Sequence, residues 1–157
     1  MDARLDFLSS PLAMKVSRYI NSAAAALRDS GLPASTQELM RLRASQINGC
    51  AFCADMHTKE ALHAGESQER LNLVAVWPEA KVFTEAERAA LELTEQGTRL
   101  ADASPGVTDE AWANAAKHYD HDQLVALVTV IAIINAYNRM NVMIRQPGGD
   151  YQVGQFA

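Results

Sequence analysis

The two cysteines of the chain, Cys50 and Cys53, are three residues apart, and His57 follows four residues later. On an α-helix, residues three and four apart are neighbours on one face, so this spacing brings two thiols and an imidazole together. An imidazole can accept a thiol proton or stand beside a thiolate as a cation. A disulfide that closes so short a loop stabilises a fold little, so the pair indicates redox or metal chemistry, not a structural bridge.

The turn at Gly49 sets the cysteine pair at the start of a helix. Unpaired backbone N–H groups and the helix dipole there stabilise anions and lower a thiol pKa from about 8.5. The dipole favours Cys50 as the thiolate, whereas the contact with His57 favours Cys53, and the residues alone leave this choice open. Glu38 lies on the preceding helix, and a helical hairpin would bring its carboxylate to His57, where it could orient the imidazole and move protons.

Each of these residues also has a purely structural interpretation. Free cysteines can be small buried hydrophobic residues, and His57 can be a core histidine with its hydrogen bonds satisfied. Glu38 is the third residue of a capping box that starts at Ser35. Asp55 and Lys59, on the cysteine helix, have the pattern of a solvated surface.

Zinc is the chemical alternative to redox chemistry. Cys50, Cys53 and His57 supply three plausible ligands, and Glu38 or His63 could supply a fourth. Structural zinc sites usually take a second pair of ligands from a distant segment, and no second C-x-x-C or H-x-x-x-H pair is present. We therefore expect neither a metal ion nor a tightly held cofactor.

The elements that position these residues are predicted to be helices throughout, because no segment shows the alternation of a half-buried strand. Capping residues, glycines and prolines predict six or seven helices, at about residues 11–28, 35–47, 50–65, 67–76, 84–100, a short stretch after 108, and 120–144. We predict one all-α domain over residues 1–157, with a flexible, loosely held tail from about residue 146.

Composition excludes several functions. The net charge of −5 argues against nucleic-acid binding, which needs clustered lysine and arginine. No basic stretch followed by an apolar one opens the chain, and the longest apolar run, 124–134, is too short for a membrane span. We expect a cytoplasmic protein that binds no membrane. The last helix is apolar around much of its surface, which predicts a homo-oligomer.

A longer pattern surrounds the cysteines: Glu38, the stretch RLRASQINGC at 41–50, then Cys53 and His57. With these spacings the chain resembles the alkylhydroperoxidase D-like (AhpD-like) branch of the carboxymuconolactone decarboxylase superfamily. A looser resemblance extends over most of the chain, including 85–100 and the asparagines of the last helix at 135, 138 and 141. The resemblance implies an all-helical bundle that assembles into trimers or hexamers and acts as a thiol peroxidase or disulfide reductase.

The resemblance also implies a role for each site residue. Cys53 matches the cysteine that attacks the peroxide, and Cys50 the more accessible partner that closes the disulfide and exchanges with a thiol or dithiol reductant. Glu38 and His57 match the proton relay. Better-studied relatives carry a histidine where this chain has Phe52, and they contain a duplicated helical unit where this chain has one motif-bearing unit.

The leading hypothesis is therefore a thiol-dependent peroxidase or disulfide oxidoreductase that cycles a Cys50–Cys53 disulfide. A second hypothesis is a decarboxylase-like or isomerase-like enzyme that uses Glu38 and His57 as acid and base, although the C-x-x-C pair argues against the decarboxylase branch. A third is a non-catalytic redox sensor whose assembly changes when the disulfide forms.

Overall fold

A computed structural model describes residues 2–7 and 9–156 of the chain. Within these ranges the protein is all-helical, with seven α-helices, two 3-10 segments and no β-strand. The helices are α1 (Pro11–Ala25), α2 (Ala34–Ile47), α3 (Ala51–His63), α4 (Gln68–Leu73), α5 (Glu85–Thr98), α6 (Asp109–Ala116) and α7 (His121–Ile144); the 3-10 segments are Ala26–Ser30 and Val74–Glu79. The predicted fold class and helix number are confirmed.

Helix α2 is the centre of the fold, because it packs against α3, α5 and α7. Leu39 and Leu42 join one apolar cluster with residues of α3, α4 and α5, and Met40 joins a second cluster with residues of α5, α6 and α7. Ala44 is fully buried in a third cluster with the two cysteines and Ile134 of α7. A small side chain at residue 44 therefore lets the cysteine pair lie between α2 and α7.

Three of the predicted helix starts are confirmed by side-chain caps. The Thr84 hydroxyl accepts from the backbone N–H of Glu87, whose carboxylate accepts in return from the backbone N–H of Thr84. Asp120 forms the same reciprocal box with Gln123, and Thr108 caps α6. Each cap satisfies N–H groups that the first helical turn leaves without an intrahelical partner.

The predicted capping box at Ser35 is wrong. Helix α2 begins at Ala34, with Pro33 in the cap position and no side-chain cap. Pro33 has φ −56°, a value that suits a helix start, so the helix begins two residues earlier than a cap at Ser35 requires. Glu38 is therefore free of a capping role, and its carboxylate is bound by other side chains.

Two other predicted boundaries differ from the structure. The first helix does not run unbroken to residue 28: it ends at Ala25 and tightens into the 3-10 segment Ala26–Ser30, which ends at Gly31 with φ 73°. The helical stretch predicted for 67–76 divides in the same way, because α4 ends at Leu73 and a 3-10 segment continues through Pro78.

The C-terminal segment differs from the expected loosely held tail, because it is bound to α3. The Asp55 carboxylate accepts from the backbone N–H groups of Gly149, at 2.8 Å, and Tyr151, at 3.2 Å. The Lys59 ammonium donates to the carbonyl oxygens of the same two residues, at 3.0 and 2.9 Å. Asp55 and Lys59 therefore do not form the solvated surface expected from the sequence but hold the tail in place.

Two further contacts fix this segment. Tyr151 is 4% exposed, and its hydroxyl donates to Glu60, which also accepts from the backbone N–H of Gly154 at 2.9 Å. Gly148 lies directly on the first turn of α3: a Cβ added there would be 2.5 Å from the carbonyl oxygen of Ala51. The tail thus follows the start of α3, next to the cysteine pair.

Helix α7 is long and apolar enough to cross a membrane by length and composition, but a buried core helix passes the same test. One face of the helix, including Leu127 and Ile134, lies in the core. The other face leaves Val125, Val128 and Met143 about half exposed or more. An exposed apolar face of this kind is consistent with the predicted homo-oligomer, which stays a prediction.

Candidate dithiol site

The cysteine pair is positioned by the turn between α2 and α3. Gly49 has φ 64°, a left-handed conformation that glycine adopts without steric cost, and the Cys50 N–H then donates to the Ser45 carbonyl at 2.9 Å. Cys50 becomes the N-cap residue of α3, and Cys53 lies on the buried face of its first turn. Both side chains are free thiols, 2% and 1% exposed.

The surroundings of Cys50 favour its thiolate. A hydrogen bond from the Cys53 thiol is the largest effect, and it lowers the pKa of Cys50 to about 7 despite burial, which acts in the opposite direction. The backbone N–H groups of Cys53 and Phe52 and the amide of Asn138 add to the lowering. The two backbone donors are open N–H groups of the α3 start, and together with the side-chain donors they leave Cys50 partly ionised at neutral pH.

Cys53 has the opposite character. The hydrogen bond that it makes with Cys50, its burial and the negative charge of Cys50 all raise the pKa of Cys53, while the amides of Asn141 and Asn138 oppose the rise. The pair therefore holds at most one negative charge at neutral pH, on Cys50, and Cys53 keeps its proton. The helix-dipole argument, which favoured Cys50, gives the direction that the structure shows.

Glu38 and His57, from different helices, meet as predicted. His57 Nδ1 lies 2.8 Å from one carboxylate oxygen of Glu38, and Arg41 Nη1 lies 2.5 Å from the other. Burial by itself raises the pKa of Glu38, but the hydrogen bond and charge of His57 and those of Arg41 outweigh it, and the net pKa is lowered. An ionised Glu38 accepts from Nδ1–H, which leaves Nε2 of His57 for proton exchange.

His57 and Cys53 share the buried face of α3. In the described part of the chain, however, no hydrogen bond joins the imidazole to either thiol: His57 bonds to Glu38, and Cys53 accepts from Asn141. The structure thus brings together two pairs, thiol with thiol and carboxylate with imidazole.

Sequence reasoning missed the polar network that α7 supplies. The side-chain amide of Asn141 donates to Cys53 Sγ at 3.3 Å. Asn138 is fully buried, donates to the Ser45 hydroxyl at 3.1 Å and accepts from Asn48 at 2.9 Å. The signal was the regular spacing of asparagines on an otherwise apolar helix, since a buried amide needs hydrogen-bond partners.

A cavity of about 330 Å³ gives access to the pair from one side. Its wall combines the start of α3, at Gly49, Cys50 and Ala51, with the end of α7 and the residues after it, including Asn141 and Pro147. Cys53 is not part of this wall. A small molecule in the cavity therefore meets Cys50 first.

Phe52, which stands where better-studied relatives carry a histidine, packs against the tail. Its ring lies edge-on to Tyr151, with the ring centres 6.3 Å apart, and 6.2 Å from the ring centre of Phe156. The site therefore has an apolar contact where a second proton carrier could have been. Over residues 2–7 and 9–156, no three Cys, His, Asp or Glu side chains are grouped closely enough to hold a metal ion.

An all-helical fold with a C-x-x-C pair at the turn between two helices, and a Glu–His pair beside it, defines an AhpD-like protein. Comparison with known proteins agrees, because the profile of the carboxymuconolactone decarboxylase family matches residues 14–96. The chain belongs to this family, in its AhpD-like branch.

Three relatives show how far the likeness extends. The uncharacterized protein YdfG of Bacillus subtilis is 41% identical over 115 residues, which cover 73% of this chain and 77% of YdfG. ATU0492 from Agrobacterium tumefaciens is described as a protein of unknown function and a candidate antioxidant defence protein AhpD. Its crystal structure matches with a TM-score of 0.85 and 35% identity, and the match covers 96% of this chain and 100% of ATU0492. The debrominase Bmp8 in complex with 2,3,4-tribromopyrrole shares the fold, with a TM-score of 0.76, 17% identity and coverage of 88% and 75%.

Proposed function

We propose that this protein is a thiol-dependent peroxidase and disulfide oxidoreductase that cycles between a Cys50–Cys53 dithiol and a disulfide. The observation that carries the proposal is the buried thiol pair at the start of α3, in which Cys53 donates to Cys50 and lowers its pKa to about 7. A structural cysteine needs no such activation, whereas thiol–disulfide exchange depends on the thiolate.

In the oxidative half of the cycle, the two thiols reduce an organic peroxide. Following the family pattern, a Cys53 thiolate attacks the peroxide; the O–O bond breaks, the alkoxide takes up a proton, and Cys53 becomes a sulfenic acid. The Cys50 thiolate then attacks the Cys53 sulfur, the S–S bond forms, and the hydroxyl leaves as water with one more proton. Because Cys53 holds the proton at rest, that proton must first pass to Cys50 or to the relay.

In the reductive half, an external thiol or dithiol restores the pair. Its thiolate attacks Cys50, the sulfur that faces the cavity, and a second thiol completes the reduction. The position of Cys50 on the cavity wall and the lowered pKa of its thiol both support this assignment.

Glu38 and His57 are proposed to supply and accept the protons of both halves. Glu38 stays ionised, holds Nδ1 of the imidazole at 2.8 Å and leaves Nε2 free to exchange protons. Arg41 holds the second carboxylate oxygen and thereby keeps the pair in one orientation. We expect His57→Gln to slow peroxide turnover about 100-fold, within the usual range for loss of a general acid or base.

The proposal is tested by steady-state reduction of an organic hydroperoxide with dithiothreitol as the donor. Wild type is expected to turn over, and both Cys50→Ser and Cys53→Ser to fall to the uncatalysed rate. Trapping of sulfenic acid in the single variants assigns the order: Cys50→Ser should accumulate it on Cys53. Full turnover in Cys53→Ser contradicts the proposal.

A second candidate function follows from the separate assembly of the Glu38–His57 pair, which forms no hydrogen bond with either thiol among the described residues. An acid–base enzyme built on this pair would keep its activity when both cysteines are replaced. A third candidate, a redox-sensing oligomer, would oxidise without turnover and change its sedimentation coefficient.

We further propose a homo-oligomer and a cytoplasmic location, where reducing conditions keep paired thiols free.

A further inference from the structure

The amide of Asn141 contacts the sulfur that the cavity does not reach. Its Nδ2 lies 3.3 Å from Cys53 Sγ, within hydrogen-bond range for sulfur, and it comes from α7, whereas both cysteines belong to the start of α3. Asn141 also forms part of the cavity wall next to Cys50. One side chain thus touches Cys53 and borders the route by which a reductant approaches Cys50.

Buried hydrogen bonds fix the position from which Asn141 acts. One turn earlier, the fully buried Asn138 accepts from Asn48 through its carbonyl, so its NH₂ group must face the other way, towards Ser45. The Ser45 hydroxyl donates to the Arg41 carbonyl at 2.7 Å and can only accept from Asn138. These hydrogen bonds join α7 to α2 in one register and hold Asn141 against the cysteine pair.

Few other groups near Cys53 can donate to it. Tyr137 packs against the cysteine cluster, but its hydroxyl donates to Asn21 Oδ1 at 2.6 Å. With its Nδ1 hydrogen donated to Glu38, a neutral His57 has no hydrogen on Nε2 to donate, and Cys50 has no thiol hydrogen in the disulfide. The amide of Asn138 also favours charge on Cys53, but its NH₂ group is shared with the Ser45 hydroxyl. When charge develops on Cys53, the amide hydrogen of Asn141 is the donor already at 3.3 Å.

We propose that Asn141 is a catalytic residue that stabilises negative charge on Cys53 Sγ. The proposal rests on the disulfide cycle described above and names a group that the cycle needs. When an external thiolate attacks Cys50 of the disulfide, a new S–S bond forms to Cys50, the Cys50–Cys53 bond breaks, and its electron pair passes to Cys53. A hydrogen bond to an ionised acceptor is about twice as strong as one to a neutral acceptor, so Asn141 favours this departure.

The test isolates the Cys53 thiol in a Cys50→Ser background and titrates it by thiolate absorbance. Asn141→Leu should raise the pKa of Cys53 by about one pH unit or more, because a hydrogen bond to a charged group is worth at least a tenfold change in ionisation. Asn141→Gln, which keeps an amide donor, should restore part of the difference. Asn72→Leu, the same substitution at an exposed position of α4, should change nothing.

A second measurement follows reduction of the disulfide by dithiothreitol in chains that keep both cysteines. Asn141→Leu should slow reduction about tenfold or more, and Asn72→Leu should not. An unchanged Cys53 pKa in the titration overturns the proposal, even if reduction is slower, because packing alone could slow reduction. If Asn141→Leu does not fold, Asn141→Ala gives the same two readouts. Neither experiment uses peroxide, so both are decided independently of whether the protein is a peroxidase.

Discussion

Gly148 is the point at which the C-terminal tail touches the start of the cysteine helix, and Gly148→Ala tests that contact. An added Cβ would lie 2.5 Å from the carbonyl oxygen of Ala51, 2.7 Å from its carbonyl carbon and 3.2 Å from the Phe52 nitrogen. All three are backbone atoms of the first turn of α3 and cannot rotate away. The two segments must therefore separate.

The size of the effect follows from these distances. Cβ contacts below 3.0 Å are essentially never observed, so the backbones must move apart by about 0.5 Å or more. Overpacking of this kind costs about 1–3 kcal/mol. The first turn of α3 carries the buried cysteines and is held by the core, so the cost weakens tail docking first. Local opening of the tail should become about 5-fold to 150-fold more frequent.

Native-state hydrogen exchange at the amides of Gly149 and Tyr151 measures that opening, because both N–H groups donate to Asp55 in the docked tail. Gly148→Ala should reduce the protection of these two amides by about 5-fold to 150-fold. Alkylation of Cys50 should also become faster, because Pro147 lines the cavity next to Cys50. Asp150→Ala is the matched control, since Asp150 is exposed. Equal protection in the two variants would refute the proposed contact.

Three further predictions concern the site and the core. The alkylation rate of Cys50 should rise through a midpoint near pH 7, and a midpoint above 8 in wild type would contradict this account. Cys53→Ala should move that midpoint upward, because alanine cannot donate the hydrogen bond that the Cys53 thiol gives to Cys50. Glu38→Gln should lower the free energy of unfolding by about 1.5–3 kcal/mol at pH 7. Because the pKa of Glu38 is depressed in the folded protein, this difference in unfolding free energy is fully present above the unfolded pKa of 4.5. It should shrink as the pH falls through the lower folded pKa, and urea unfolding at several pH values measures it. Leu91→Ala, at a fully buried position, should cost about 2–5 kcal/mol in thermal or urea unfolding, against less than 0.5 kcal/mol for the exposed Leu100→Ala; similar losses in both would contradict the assigned core.

Local signals in the sequence were enough to predict helix starts where the cap is self-contained. Thr84 and Asp120 each bond to a residue three positions later, so the pattern and the structure agree. The same pattern failed at Ser35, because Glu38 has partners outside its own helix. His57, which lies nineteen residues away, binds its carboxylate and leaves it no role in a cap.

Long-range contacts explain what the sequence did not predict. The role of Asp55 depends on backbone N–H groups more than ninety residues away, and no local pattern in a polar tail indicates such a contact. The contact of Asn141 with Cys53 spans 88 positions and depends on the register of α7 against α2. The thiols, His57 and Glu38 could be predicted because the family motif contains them, but the asparagines that bond to the thiols lie on α7, far away in the sequence.

The most direct test of the central claim is a thiol count after reaction with peroxide. Reduced protein is mixed with one equivalent of an organic hydroperoxide without air, and free thiols and intact mass are measured over time. The dithiol cycle predicts that both thiols disappear together with a mass loss of two hydrogens, and that Cys53→Ser forms no intramolecular disulfide. Survival of both thiols, or oxidation of one cysteine without a disulfide, would contradict the account and leave the Glu38–His57 pair as the chemistry to test.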